Sequence, residues 1–360
     1  MVNDAGAQRV ATDASSTMKP ITESSLSDYL ATRVPEWREA RIHGLHRLPL
    51  GASRETYRFD LSHASADGGA RETVRLILRR DPPASNVDSN RRHEYECYRA
   101  IYGHGIPVPR MILLEEDPAH FDGAISLAED LRGFHNSEYQ LQNPEWQPRL
   151  PRLAEQLWGY MGQLAAVDVG TLSVAHFMPP ATVESTARQE LDYWVTKLEK
   201  NDVGAEPITW AAIRYLRRNY PVAQKLSVVH GDFRAGNVLY DDEGNVRAVL
   251  DWEMGHLGDP LEDLAWSITR TFSFGKDDRR SGVVPKEVAV STWEKASGLR
   301  AEPKELLWWE LFACVKAQAI WAAMGHVWES GANQDVIMPY AAWWLRNAQD
   351  RAVLELMGKL

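Results

Sequence analysis

The sequence predicts an α+β chain of two lobes, a small antiparallel sheet followed by a larger and mainly helical part. Three observations carry that prediction. TVRLILRR alternates with a period of two, placing Val74, Leu76 and Leu78 on one face and Arg75, Ile77 and Arg79 on the other. From Leu153 onward, segments such as LAEQLWGYMGQLAAV and ELLWWELFACVKAQAIWAAM repeat apolar residues at helical spacing, among them Trp308, Leu311, Phe312, Val315 and Ala319. Within that helical part, two apolar runs flank Asp242-Glu243-Gly244-Asn245, a hairpin signal.

At 360 residues the chain is long enough for two units of roughly 150 residues each. Residues 1–24, rich in Ala, Ser, Thr and Asp, read as a flexible arm without a signal-peptide core. Residues 25–132 form the expected first lobe and residues 133–360 the second. In the first, LPLGASRETYRFDL and TVRLILRR flank the polar turn Asp67 to Gly69, which gives an antiparallel pair. A helix follows over Arg91 to Tyr102 and is broken by GHGIPVP from Gly103 to Pro109. Short strands are expected at Arg110 to Leu114 and Ala124 to Ala128, so this lobe is a sheet with one helix. The Pro-rich QNPEWQPRLP at Gln142 to Pro151 reads as a loop or insertion.

Composition narrows the function classes. Hydrophobic residues make up 44% and charged residues 25%, an ordinary globular balance. Forty Lys and Arg against fifty Asp and Glu leave a net charge of −10, which repels phosphate backbones and anionic membranes. Nucleic acid and membrane are therefore not expected partners. Two cysteines, Cys97 and Cys314, support neither a disulfide framework nor a four-ligand zinc site, and a reducing, cytoplasmic setting is expected.

The polar residues around the hairpin are His230, Asp232, Arg234, Asn237, Asp251 and Glu253, followed by Asp259. A carboxylate five residues before a carboxamide, then a second carboxylate one hairpin later, suits phosphoryl transfer from a magnesium nucleotide, because magnesium takes oxygen ligands. Asp232 and Asn237 are also residue types that merely cap turns.

Here the chain resembles the aminoglycoside and choline phosphotransferase family, which has a protein-kinase-like fold. The matching residues are His230-Gly231-Asp232-Phe233-Arg234-Ala235-Gly236-Asn237, Leu250-Asp251-Trp252-Glu253, Gly258-Asp259-Pro260 and Asp263-Leu264-Ala265. The branch it is most similar to is the phosphotransferase portion joined to acyl-CoA dehydrogenases, and the resemblance runs from about Leu48 to the last helices.

The resemblance implies ATP and magnesium as cofactors, Asp232 as catalytic base, and Asn237 and Asp251 as magnesium ligands. It places Arg79 where kinases carry the lysine that grips the α and β phosphates, with Glu94 as its partner; Arg80 is the alternative. Arg replaces Lys there with a different donor geometry. Arg234 either clamps the transferred phosphoryl group or faces solvent. Ser53, in the loop Gly51 to Glu55, maps to a phosphate-covering turn, and the backbone groups of Glu129 and Leu131 to an adenine-binding hinge. Glu253 meets a second magnesium or a backbone donor. His230 and Asp263 read as structural, and His256 as a loop histidine without a partner. Asp259 reads as an N-cap, with Pro260 at the first helical position and Glu262 closing a capping box.

The expected activity is that of an ATP-dependent kinase acting on a hydroxyl-bearing small molecule, cytoplasmic and of unspecified acceptor. Trp194, Trp308 and Trp309 are either walls of the acceptor pocket or core. The alternatives are a nucleotide-binding pseudokinase and a metal-dependent hydrolase using His230, Asp232, Asp251, Glu253 and His256.

Overall fold

A computed structural model describes residues 18–37, 39–48, 55–64, 71–81, 91–201, 206–273, 278–331, 333 and 335–360. Helix α1 (Glu23–Arg33) is closed at its start by Thr22, whose hydroxyl accepts from the Ser25 N–H. Strands β1 (Arg41–Arg47), β2 (Glu55–His63) and β3 (Glu72–Arg80) then run antiparallel in sequence order. Helix α2 (Arg91–Ile101) leads to β4 (Met111–Glu115), the one-turn α3 (Pro118–Phe121) and β5 (Ile125–Glu129). The five strands form one antiparallel sheet in the order β1-β2-β3-β5-β4.

The alternation of β3 is what the sheet uses. Leu76 and Leu78 are fully buried against Phe59, Leu61, Leu127 and the α1 residues Leu26 and Leu30. Arg79 lies on the other face and pairs in register with Thr56 and Ser126. Arg80 shares the leucine face, where its guanidinium is buried against Glu55 and the Lys19 and Phe121 carbonyls. The expectation of a sheet with one helix is too lean, because α1 and α3 also belong to this region and β1 precedes Leu48. The Asp67–Gly69 turn, residues 1–17 of the expected arm and the loop holding Ser53 lie outside the described residues.

QNPEWQPRLP is neither a loose loop nor an insertion. Two 3₁₀ turns (Gln140–Gln142 and Pro144–Arg149) bury Leu141 and Trp146, and the Trp146 ring meets Tyr240 edge-on. They run directly into α4 (Leu150–Ala166), followed by α5 (Thr186–Lys200) and α6 (Pro207–Arg218).

The chain then makes two short antiparallel ladders. β6 (Ser227–Val229) pairs with β9 (His256–Gly258), and nested between them β7 (Val238–Tyr240) pairs with β8 (Val246–Val249). The predicted hairpin turn is fastened by Asp241, whose carboxylate accepts from the Glu243 and Asn245 N–H groups, with Gly244 at φ 81°. Helix α7 (Leu261–Ser267), the minimal pair β10 (Arg279–Arg280) and β11 (Val284–Pro285), α8 (Lys286–Ser297), α9 (Pro303–Glu329), α10 (Ile337–Pro339), a π-helical turn (Tyr340–Leu345) and α11 (Arg346–Leu356) complete the fold.

Helix α9 is apolar nearly all round and runs through the core of this half, where Trp308, Trp309, Leu311, Phe312 and Val315 are buried. Trp308 and Trp309 are thus core rather than pocket walls, their indole N–H groups donating to the Leu216 carbonyl and to Asp259. Cys97 and Cys314 are buried free thiols. Among the described residues, no helix is long and apolar enough to cross a membrane.

Candidate active site

The loop between β6 and β7 carries His230 to Asn237, and its path is fixed by contacts with Asp263, Leu250 and Met254. Asp263, on α7, accepts from the N–H groups of His230 (2.7 Å) and Gly231 (2.9 Å), the anchoring role expected of it. His230 is fully buried. Its Nδ1 accepts from the Asp232 N–H, so Nε2 carries the proton and donates to the Leu250 carbonyl at 2.8 Å. Burial pushes its imidazole down to about 4, which keeps this tautomer neutral. With both ring nitrogens committed to backbone, His230 is not a metal ligand, and the hydrolase reading loses its first residue. Gly231 has φ 84°, and a Cβ there would lie 2.7 Å from the Met254 carbonyl oxygen, so only glycine fits.

This scaffold presents Asp232 with three side-chain donors. Asn237 Nδ2 reaches Asp232 Oδ2 at 2.6 Å and its backbone carbonyl at 2.9 Å, while Arg234 Nε and Trp266 Nε1 reach Oδ1 at 3.1 and 2.6 Å. Arg234 does not face solvent. Its guanidinium also pairs with Glu138 at 2.8 Å and lies over the Phe272 ring. The other Glu138 oxygen accepts from the Gly236 N–H, so one carboxylate from the segment after β5 secures both.

The second motif is tied to the first through the backbone, since the Leu250 N–H donates to the Asn237 carbonyl at 2.8 Å. Asp251 follows in a left-handed conformation, φ 70°, and its own N–H donates to the Tyr98 hydroxyl of α2. Burial, Glu253, Glu94 and Asp232 push the Asp251 carboxyl up to about 6, against the pull of Arg79. Carboxylates crowded this way are a receptive environment for a divalent cation, and the oxygen donors offered by Asp251 and Asn237 fit magnesium.

Across from them, Arg79 donates to Glu94 at 2.7 Å, and Glu94 also takes a 2.8 Å bond from Arg91. Burial opposes the charge of Arg79, but Glu94, Tyr98, Asp251 and Glu253 outweigh it and hold the guanidinium above its ordinary range. The pair expected from sequence is thus formed. Glu129 closes β5 with its N–H donated to the Arg110 carbonyl, and Leu131 follows it after Asp130.

Two sequence expectations need correction. His256 is not a partnerless loop residue. It sits on β9 with Nδ1 3.0 Å from the Met254 carbonyl and Nε2 3.1 Å from Glu262 and 3.5 Å from Glu190. Glu262 closes no capping box, because its carboxylate turns inward to Lys316 and His256. Asp259 does cap the turn, accepting from the Leu261 N–H at 3.0 Å.

A family model described as "Phosphotransferase enzyme family" matches residues 44–299. The chain belongs to that family. Curated relatives include mouse acyl-CoA dehydrogenase family member 10 (28% identical over 199 residues) and human acyl-CoA dehydrogenase family member 11 (23% over 239 residues). The matches cover 53% and 62% of this chain but only 18% and 30% of those relatives. Among solved structures, a putative aminoglycoside phosphotransferase from Ralstonia eutropha aligns over 94% of this chain and 99% of its own at TM-score 0.74 and 17% identity. An ethanolamine kinase from Plasmodium vivax aligns over 94% and 91% at TM-score 0.60 and 12% identity. An aminoglycoside phosphotransferase in ternary complex with AMP-PNP and hygromycin B aligns over 92% and 98% at TM-score 0.59 and 17% identity. At these identities the likeness establishes the kinase-like fold of the chain.

Proposed function

We propose that this phosphotransferase is an ATP-dependent kinase that transfers the γ-phosphoryl group to a hydroxyl of a small molecule. The observation that carries the reading is the joined set Asp232, Asn237 and Asp251: one amide bonds the first carboxylate, and one backbone bond ties that amide's residue to the strand end carrying the second.

In this reading Asp232 orients the acceptor hydroxyl and takes its proton as the oxygen attacks. Arg234 keeps its Nε on Asp232 and one Nη on Glu138, so the remaining N–H groups of its fork meet the phosphoryl oxygens as charge develops. Asn237 turns its amide nitrogen to Asp232 and offers its Oδ1, together with the Asp251 carboxylate, to magnesium. Bound magnesium supplies charge neutralisation between the β and γ phosphates. Arg79, oriented by Glu94, meets the α and β phosphates, and the backbone groups of Glu129, the last residue of β5, and of Leu131 beyond it face the adenine. The intact set of Asp232, Asn237 and Asp251 favours a kinase over a pseudokinase.

Calorimetric titration with ATP, with and without magnesium, followed by a screen of hydroxylated compounds for ADP release, tests the proposal. Magnesium-dependent binding with acceptor-dependent ADP release is expected. Absence of binding to any nucleoside triphosphate would overturn it.

A further inference from the structure

Behind the catalytic loop lies a cluster that the proposed reaction does not use. Lys316, fully buried in α9, donates to Glu262 at 2.9 Å, and the second Glu262 oxygen receives His256, which also faces Glu190. Burial works against every charge here. Even so, Glu190 and Glu262 raise the His256 imidazole to about 10, Glu262 and Glu190 hold the Lys316 ammonium up, and Lys316 with His256 holds the Glu262 carboxyl down. Lys316, His256 and the Glu262 carboxylate thus form a closed set, with Glu190, whose carboxyl burial pushes up, beside them. Ligand atoms of Glu190, His256 and Glu262 lie within 4.8 Å of one another, as in a metal site. A doubly donating imidazolium and an ammonium already on Glu262 fill the positions a metal would need.

The cluster reaches the catalytic loop through Lys316. Lys316 Nζ donates to the Gly231 carbonyl at 2.6 Å, one residue before Asp232. It also lies 5.0 Å from the centre of the Trp266 ring, whose N–H bonds Asp232 Oδ1, and 5.3 Å from that of Trp194. From the other side His256 bonds the Met254 carbonyl, against which Gly231 is packed. The Gly231 peptide is therefore held at its N–H by Asp263 and at its oxygen by Lys316. A charged donor on a buried carbonyl is among the stronger hydrogen bonds available, and burying an ammonium costs too much to be retained without such partners.

We propose that Lys316 is a positioning residue for phosphoryl transfer: anchored by Glu262, His256 and Glu190, its ammonium fixes the Gly231 carbonyl and the Trp266 ring, and through them aims Asp232. The proposal rests on the kinase reading for its kinetic consequence but not for its structural one. A hold of this kind leaves nucleotide binding alone and acts on turnover, since misplacing a reacting group by about 1 Å costs roughly 100-fold.

The test uses the full chain with Lys316→Met/Glu262→Gln, which removes one cation and one anion together, and Lys316→Arg, which keeps charge and donors. Two readouts are taken: hydrogen exchange of the amides from His230 to Asn237, and kcat with KM for ATP from ADP release. The double variant is expected to exchange at Gly231 and Asp232 at least ~10-fold faster and to lose roughly 10–100-fold in kcat at unchanged KM, with Lys316→Arg intermediate. Native exchange and native kcat in the double variant would overturn the proposal. If the double variant does not fold, Lys316→Arg decides: native kcat and exchange overturn the proposal, and a fall in kcat at constant KM supports it. If wild type and Asp232→Asn release ADP equally, the kinase reading fails, and the exchange result alone still decides whether Lys316 holds the loop.

Discussion

Arg79–Glu94 in the sheet lobe and Lys316–Glu262 in the helical lobe are both cation–glutamate pairs, at 2.7 and 2.9 Å, yet Arg79 is 31% exposed and Lys316 1%. The first cation faces the space in front of Asp251 and is itself available to a ligand. The second is sealed behind the catalytic loop and reaches chemistry only through a backbone carbonyl. In the proposed roles, the same residue chemistry serves recognition where water reaches it and alignment where water does not. Arg suits the first, with a fork for oxyanions; Lys suits the second, a compact charge with donors to spread over Glu262 and Gly231.

The comparison is sharpest at the proposed base. Asp232→Asn should lower turnover by about 10³-fold or more, with ATP affinity within about twofold, measured by ADP release and calorimetry. Retained turnover would remove the base assignment and the distinction along with it. Next in size, Glu262→Gln should destabilise the fold by about 3–5 kcal/mol in denaturant titration, because it removes the carboxylate that both Lys316 and His256 bond. Arg79→Met, which removes a part-exposed cation, should cost only about 1 kcal/mol or less. Equal losses would mean that the two pairs do not differ in kind.

The kinetic counterpart is smaller. Glu94→Gln should raise KM for ATP by roughly 10-fold with little change in kcat, the reverse of the pattern expected for Lys316. Trp266→Phe keeps the ring beside Lys316 and deletes only the N–H on Asp232, so a loss of kcat of about 10-fold is expected from one hydrogen bond to a charged group.

Smallest is a pH effect that separates His230 from His256. His256 is raised from 6.5 to about 10, so the stability it contributes is complete below 6.5 and fades as pH rises through 10. His230 is lowered from 6.5 to about 4, so its contribution is present above 6.5 and is lost as pH falls through 4. Unfolding titrations of wild type and His256→Asn should therefore converge toward pH 10 and diverge toward pH 6. Parallel curves would contradict the charged state of His256.

What the sequence made legible was whatever its local periodicity or a contiguous motif encodes. The alternation around Arg79 placed it opposite Leu76 and Leu78, and the run from His230 to Asn237 with the following Asp251 located the site. β1 escaped because RIHGLHR offers Ile42 and Leu45 with a glycine between them, too little pattern for a strand. Glu138, Trp266 and Lys316 escaped for a different reason. They lie 98, 34 and 85 residues from the loop atoms they bond, and only folding brings them there. Lys316 had a signal nonetheless: a lone lysine within the apolar run from Leu311 to Met324 must find a counter-charge inside. His256 and Glu262 were misread because a capping box explains glutamate locally, while the partners that claim it come from β9 and α9.

Helix α2 has a mechanical consequence. Its Glu94 is bonded to the sheet through Arg79, while His93 meets the Gly255 carbonyl and Tyr98 receives the Asp251 N–H, both beyond the catalytic hairpin. The helix is therefore riveted to both lobes at once. A hinge that swings the sheet away must shear one set of rivets, so the sheet cannot swing open while Arg79, Glu94 and Asp251 all stay in register.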